Sequence, residues 1–185
     1  MILWLEWFRC VRLLRPCCSR RATFLWMSLA LAGLCVRSDL AGVTSFVRAL
    51  WLDPATYRRL LHVFHTPALD LDKLTQLWIR LALKLFRPVT LDGRLVFIAD
   101  GIKVSKEGRK MPAVKKLHQE SGNNNKAEFI FGHSFQAVAL LAKGLFGQPF
   151  AVPLSSRIHE GLVFSNRDKR TLLDKLVALF LEIVA

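Results

Sequence analysis

The spacing of apolar residues changes at Pro88, and that change limits the folds open to this chain. Before Pro88, large apolar side chains recur three and four residues apart; after it they gather into strand-length runs. Leu71, Leu74, Leu77, Trp78, Leu81 and Leu85 fall on one helical face that packing should bury. Asp70 is placed to cap the start of that helix, and Pro88 forbids its continuation. Upstream, Asp53-Pro54 is a helix-start signal, with proline in a first-turn position where its missing N–H costs nothing. Tyr57, Leu60, Leu61 and Phe64 supply the apolar face that follows, and Thr44 is placed to cap a shorter helix carrying Phe46, Val47, Leu50 and Trp51.

Residues 1–88 therefore read as a helical, DNA-contacting candidate region and residues 89–185 as a second region built on strands. The fold class expected is α+β or α/β. Two short helices joined at Leu52-Asp53-Pro54 are compatible with a helix-turn-helix, in which Arg48, Arg58 and Arg59 reach phosphates or base edges. Plain helical packing accounts for the pair equally well.

Charge narrows the partners. The 27 Lys and Arg against 14 Asp and Glu give a net charge of +13, which points to phosphate, first on nucleic acid and second on an anionic membrane surface. Disorder is excluded, because 52% of the residues are hydrophobic and they recur along the whole chain. Arg9, Arg12, Arg15, Arg20 and Arg21 precede an apolar run at 24–36, the layout of a signal peptide. That run is about 13 residues, short of the ~20 a spanning helix needs, and apolar residues continue at helical spacing beyond it. It reads as a buried, Arg-flanked helix in a cytoplasmic protein with no membrane partner; a small basic membrane-associated protein is the competing class. Cys10, Cys17, Cys18 and Cys35 form no repeated Cys-x-x-Cys pair and have no histidine pair at finger spacing, so they read as reduced thiols.

Past Thr90, Leu91-Asp92-Gly93-Arg94 is a turn, and the apolar run 95–99 reads as a strand buried on both faces that ends in Asp100-Gly101. A carboxylate at the end of such a strand is where open sheets hold ligands and metals, whereas a turn aspartate before glycine is the plain alternative. Residues 102–127 read as a polar loop holding Lys103, Lys106, Arg109, Lys110, Lys115, Lys116 and Lys126 against only Glu107 and Glu120. Beside a metal-binding carboxylate, those cations point to a phosphodiester substrate. Two further strands are expected at 128–142 and 148–158, with His133 and His159 as hydrogen-bonded structural histidines. A final helix carries Leu172, Leu173, Leu176, Phe180 and Ile183 on its apolar face.

The segment Phe97-Ile-Ala-Asp-Gly-Ile-Lys-Val-Ser-Lys-Glu-Gly-Arg-Lys110 and its continuation to Ser121 resemble the block around the first aspartate of bacterial insertion-sequence transposases with a DDE endonuclease domain. Gly132-His-Ser-Phe-Gln-Ala-Val138 and Val152-Pro-Leu-Ser-Ser-Arg-Ile-His-Glu-Gly161 look like the family's next strands, and Val43-Thr-Ser-Phe-Val-Arg-Ala-Leu50 like its preceding helical region. The resemblance implies the first half of a ribonuclease-H-like fold, strand-strand-strand-helix, acting in DNA transposition. In that family two Asp and one Glu hold two divalent ions, Mg²⁺ by the hardness of the oxygen ligands, for in-line phosphoryl transfer. Asp100 matches the first aspartate, as catalytic residue and metal ligand, and Lys103, Lys106, Arg109 and Lys110 would lie near transposon-end phosphates.

The other two carboxylates have no match. None of Glu120, Glu128, Glu160, Asp168, Asp174 and Glu182 ends a strand expected beside that of Asp100. The expectation is thus an N-terminal transposase fragment that binds transposon-end DNA but does not cut it. A homo-oligomer or a complementing C-terminal fragment is its expected protein partner. A non-catalytic DNA-binding remnant that regulates transposition stands as the alternative.

Overall fold

A computed structural model describes residues 2–39, 42–106, 111–118, 128–158 and 171–184. They divide into two compact units, Met1–Leu81 and Ala82–Ala185. Together they make a mixed α+β protein.

The first unit is helical: α1 (Ile2–Leu13), α2 (Arg21–Val36), α3 (Val43–Ala49), α4 (Tyr57–Val63) and the start of α5 (Leu71–Leu85). Helix α2 carries the apolar run at 24–36 into two clusters. Phe24 and Met27 pack with Val11, Leu14, Cys17, Cys18, Val63 and Leu81, while Ala30 packs with Phe46, Val47 and Leu60. Part of this run is thus buried within the helical unit, while Leu25, Leu34 and Val36 remain exposed; no helix among the described residues is long and apolar enough to cross a membrane. Asp70 accepts from the Lys73 N–H at 2.9 Å, so the expected cap forms, and at the Asp53-Pro54 helix start the Asp53 carboxylate accepts from the Ala55 N–H at 2.7 Å.

Two helix expectations are corrected. Thr44 does not cap α3: the helix starts at Val43, and the cap position is Gly42 at φ +68°, a left-handed backbone that a β-branched residue resists. The apolar face of α5 is not buried along its length. Leu74, Leu77 and Trp78 pack against the first cluster, but Leu71 and Leu85 at the two ends are 61% and 51% exposed.

The second unit is an antiparallel sheet organised by one long strand, β6 (Phe129–Lys143). One side of β6 pairs with β1 (Arg87–Pro88) and β4 (Phe97–Ser105), the other with β5 (Lys115–His118) and β7 (Pro149–Ile158). The sidedness follows from shared partners: Gly132 meets both Ser105 and Lys115, and Lys143 meets both Arg87 and Pro149. Strands β2 (Thr90–Leu91) and β3 (Arg94–Leu95) form a separate hairpin. Its turn residues Asp92 and Gly93 both have positive φ, 48° and 75°, as a tight two-residue hairpin turn requires. On β7 the register shifts between Val138 and Ala139 of β6, where Leu154 is the extra residue. Pro153 lies at this shift, where proline's missing N–H is tolerated, and among the described residues β7 pairs with β6 alone.

Helix α6 (Leu172–Val184) opens with reciprocal bonds between Thr171 and Asp174: the Thr171 N–H donates to Asp174 Oδ2 at 2.7 Å, and the Asp174 N–H to Thr171 Oγ1 at 3.1 Å. It lies on the sheet face of Ser134, Gln136, Val138, Leu140 and Ala142, all buried. Phe180 packs edge-on against Phe97, the partner of Leu140, and Glu182 pairs with Arg157, the partner of Gln136. Leu173, Val177, Leu181 and Val184, at helical spacing on α6, remain exposed.

The strand expected at 95–99 is displaced and extended. It runs Phe97–Ser105, so the first nine residues of resemblance to the transposase block are one continuous strand. It is also mostly exposed rather than buried on both faces. The physical reason is position: among the described residues β4 pairs only with β6, so its outer edge and the face opposite α6 lack cover. The polar loop expected at 102–127 is likewise shortened, since residues to 105 belong to β4 and Lys115–His118 form β5. At residues 102–105 and 115–118 the polar composition belongs to an exposed sheet, while residues 107–110 and 119–127 lie outside the described residues.

Candidate nucleic-acid interface

Directly opposed residues in an antiparallel pair share a sheet face, so the register assigns each site residue. Asp100 opposes Ala137, and Ala137 opposes Ser156. Asp100 therefore stands mid-strand on the face opposite α6, along with Ile98, Ile102 and Val104. It does not end the strand; the extended backbone carries on through Gly101 to Ser105. One Asp100 carboxylate oxygen accepts from the Gly101 N–H at 2.7 Å. Among the described residues no three His, Cys, Asp or Glu side chains come together. Across the sheet the neighbours of Asp100 are Ala137 and then Ser156, neither of them a carboxylate. A single exposed carboxylate does not suit two mutually repelling divalent ions, so this set does not fit the Mg²⁺ pair that the resemblance implies.

The lysines divide between the two faces. Lys103 opposes Ser134 on the α6 face, and its ammonium donates to the His118 carbonyl at 2.8 Å, tying β4 to β5 across β6. Lys115 opposes Gly132 on that same face; partial burial, then the nearby positive charge of Lys175 on α6, lowers its pKa from the ordinary value. Lys116 opposes Phe131 on the Asp100 face, where its ammonium stands 4.2 Å from the centre of the Phe129 ring. The Lys106 N–H donates to the Phe131 carbonyl at 2.8 Å, continuing the ladder one residue past β4. Arg109 and Lys110 lie outside the described residues, as do Glu120, His159, Glu160 and Asp168.

His133 is a structural histidine, as its sequence context implies: its ring Nε2 hydrogen-bonds the Pro112 carbonyl at 2.8 Å. On the helical unit, Arg48 pairs with Asp39 at 2.7 Å, Arg59 lies over the Trp26 ring, and Arg58 is exposed. All three reach the surface of the α3–α4 pair, and those two helices pack on α2 through Phe46, Val47 and Leu60.

Sequence reasoning missed the aromatic side chains of this interface. Phe129 and Phe131 are 45% and 41% exposed on the Asp100 face, two residues apart on the central strand. The signal was present as Phe-Ile-Phe at strand alternation, but alternation alone does not say which face is left uncovered.

Comparison with known protein families, with curated proteins and with solved structures gives no match.

Proposed function

We propose that this chain is a DNA-binding protein of the DDE transposase kind: a helical DNA-contacting region followed by the first half of a ribonuclease-H-like core. The observation that carries the reading is the order of elements in the second unit. Asp100 lies on the first long strand β4, which pairs antiparallel with β6, which pairs with β7, and a helix then packs back on the sheet. With the short strand β5 inserted between β4 and β6, the three longer strands and the helix follow in the order that the resemblance around Asp100 implies, which supports the reading. The net charge of +13 and the cations on both units supply the attraction to DNA, acting in the cytoplasm.

The activity assigned to these residues is binding, at transposon ends. Only one matching carboxylate is present, so no hydrolytic or strand-transfer step is assigned to them. The cross-strand neighbours of Asp100, Ala137 and then Ser156, favour a second reading within the same class, a non-catalytic DNA-binding regulator of transposition.

The test is duplex binding measured across a salt series, with supercoiled plasmid and Mg²⁺ or Mn²⁺ in a parallel nicking assay. Binding should weaken steeply with salt, by on the order of a thousandfold between 50 and 200 mM if about six phosphates are neutralised. Asp100→Ala should bind equally or slightly more tightly, because it removes a negative charge near the phosphate path. Salt-independent binding would refute the charge argument. Nicking that disappears in Asp100→Ala would refute the assignment of binding alone.

A further inference from the structure

On the Asp100 face, the end of the sheet formed by β5 and β6 combines exposed aromatic rings with lysines. Phe129 and Phe131 stand on the central strand, separated by roughly 7 Å of backbone rise. Lys116 and His118 flank them from β5: Lys116 opposes Phe131, and His118 opposes Phe129 with ring centres 5.2 Å apart, edge to face. Neither phenylalanine is covered by α6, which packs on the other face. Duplex DNA has little use for such rings, because its bases are stacked inward and its backbone offers only charge. A single strand offers base faces and phosphates together.

We propose that this β5–β6 face binds single-stranded nucleic acid, with bases stacked on Phe129 and Phe131 and phosphates held by Lys116. The inference rests on the nucleic-acid reading above and adds the form of the strand and the residues that take it. Lys116 now spends its charge on the Phe129 ring at 4.2 Å. An exposed cation–π contact contributes less than stacking of a base on the same ring, so a base displaces the ammonium and leaves it for the adjoining phosphate. Charge complementarity favours a polyanion here, since Lys116 and the nearby Lys106 outnumber the one described carboxylate at this end, Glu128. That carboxylate faces His118 at 3.6 Å and opposes the ligand. Stacking on a half-exposed ring also reads no base edge, so the site tolerates sequence and prefers strands that unstack easily, such as oligo-thymidine.

The experiment uses the full chain and fluorescence anisotropy with a deoxythymidine oligomer of roughly 20 nucleotides, a duplex of equal length, and vesicles rich in anionic phosphatidylserine. Phe129→Leu combined with Phe131→Leu should weaken single-strand binding by at least about tenfold while duplex binding changes less than about twofold. Phe129→Trp should hold or raise single-strand affinity, and Glu128→Gln should raise it. Ultraviolet cross-linking of the unmodified chain to the thymidine oligomer, read by mass spectrometry, should mark the peptide holding Phe129 and Phe131. That readout does not depend on a variant folding. Equal loss of single-strand, duplex and vesicle binding in the leucine variant, or cross-links confined to the helical unit, would overturn the proposal. Failure of duplex binding alone would instead count against the transposon-end reading and leave the single-strand result standing.

Discussion

Gly132 sits where β4, β5 and β6 meet, and replacing it tests that junction directly. A Cβ built at Gly132 would lie 2.2 Å from the Val104 carbonyl oxygen and 2.9 Å from its carbon. The oxygen is thus about 1.2 Å inside ordinary contact, and both atoms are backbone, so relief requires β4 to move. Movement of that size breaks the ladder at its Lys103–Ser105 end, where two or three hydrogen bonds contribute about 1 kcal/mol each. Against this stands a gain of about 0.5–1 kcal/mol from restricting the unfolded chain at a strand glycine. The net expectation for Gly132→Ala is a loss of about 1–3 kcal/mol. Gly101→Ala on β4 is the control, since its Cβ would meet nothing nearer than the Gln136 amide nitrogen at 3.6 Å. It should be neutral or slightly stabilising. Urea unfolding gives the difference between the two variants, and amide exchange at Val104 and Lys106 should quicken roughly tenfold or more in Gly132→Ala alone. Gly132→Ala as stable as Gly101→Ala, with unchanged exchange on β4, would refute the packing assigned to this junction.

The helical unit offers two more tests. Leu77→Asp places a carboxylate against the cluster of Val11, Leu14, Phe24 and Leu81, and should cost at least about 2 kcal/mol and reduce soluble expression; unchanged thermal stability would remove Leu77 from the core. Burial, reinforced by Cys18, pushes the Cys17 thiol from 9.0 up to about 12. The unfolded thiol therefore ionises first, the folded state binds the extra proton, and stability is full below about pH 9 and falls between pH 9 and 12, by roughly 1.4 kcal/mol per unit. Cys17→Ala should flatten that alkaline limb, as read by urea midpoints at pH 8, 9 and 10. In the native chain at pH 8 a thiol reagent should label exposed Cys35 and spare buried Cys17 and Cys18.

What the residues determined by themselves were the locally encoded features. The caps at Asp53 and Asp70 depend on one carboxylate and a backbone N–H two or three residues away, and the Asp92-Gly93 turn depends on two adjacent residues, so both could be read without the fold. Helix and strand periodicity placed α5, β6, β7 and α6 for the same reason. Asp100 and its lysines were legible as a charged block, and the function proposed for that block rests on its resemblance. Tertiary structure decided which faces the strands expose. Residues 95–99 have the composition of a buried strand, yet among the described residues β4 pairs with β6 alone, because burial depends on neighbours contributed by distant sequence rather than on the strand itself. The split of Lys103 and Lys115 from Lys116, and the meeting of Lys116 with Phe129, are likewise products of register. A shift of one residue along β6 would exchange the two faces and put the aromatic rings under α6, and only the long-range pairing of β4, β5 and β7 with β6 prevents it.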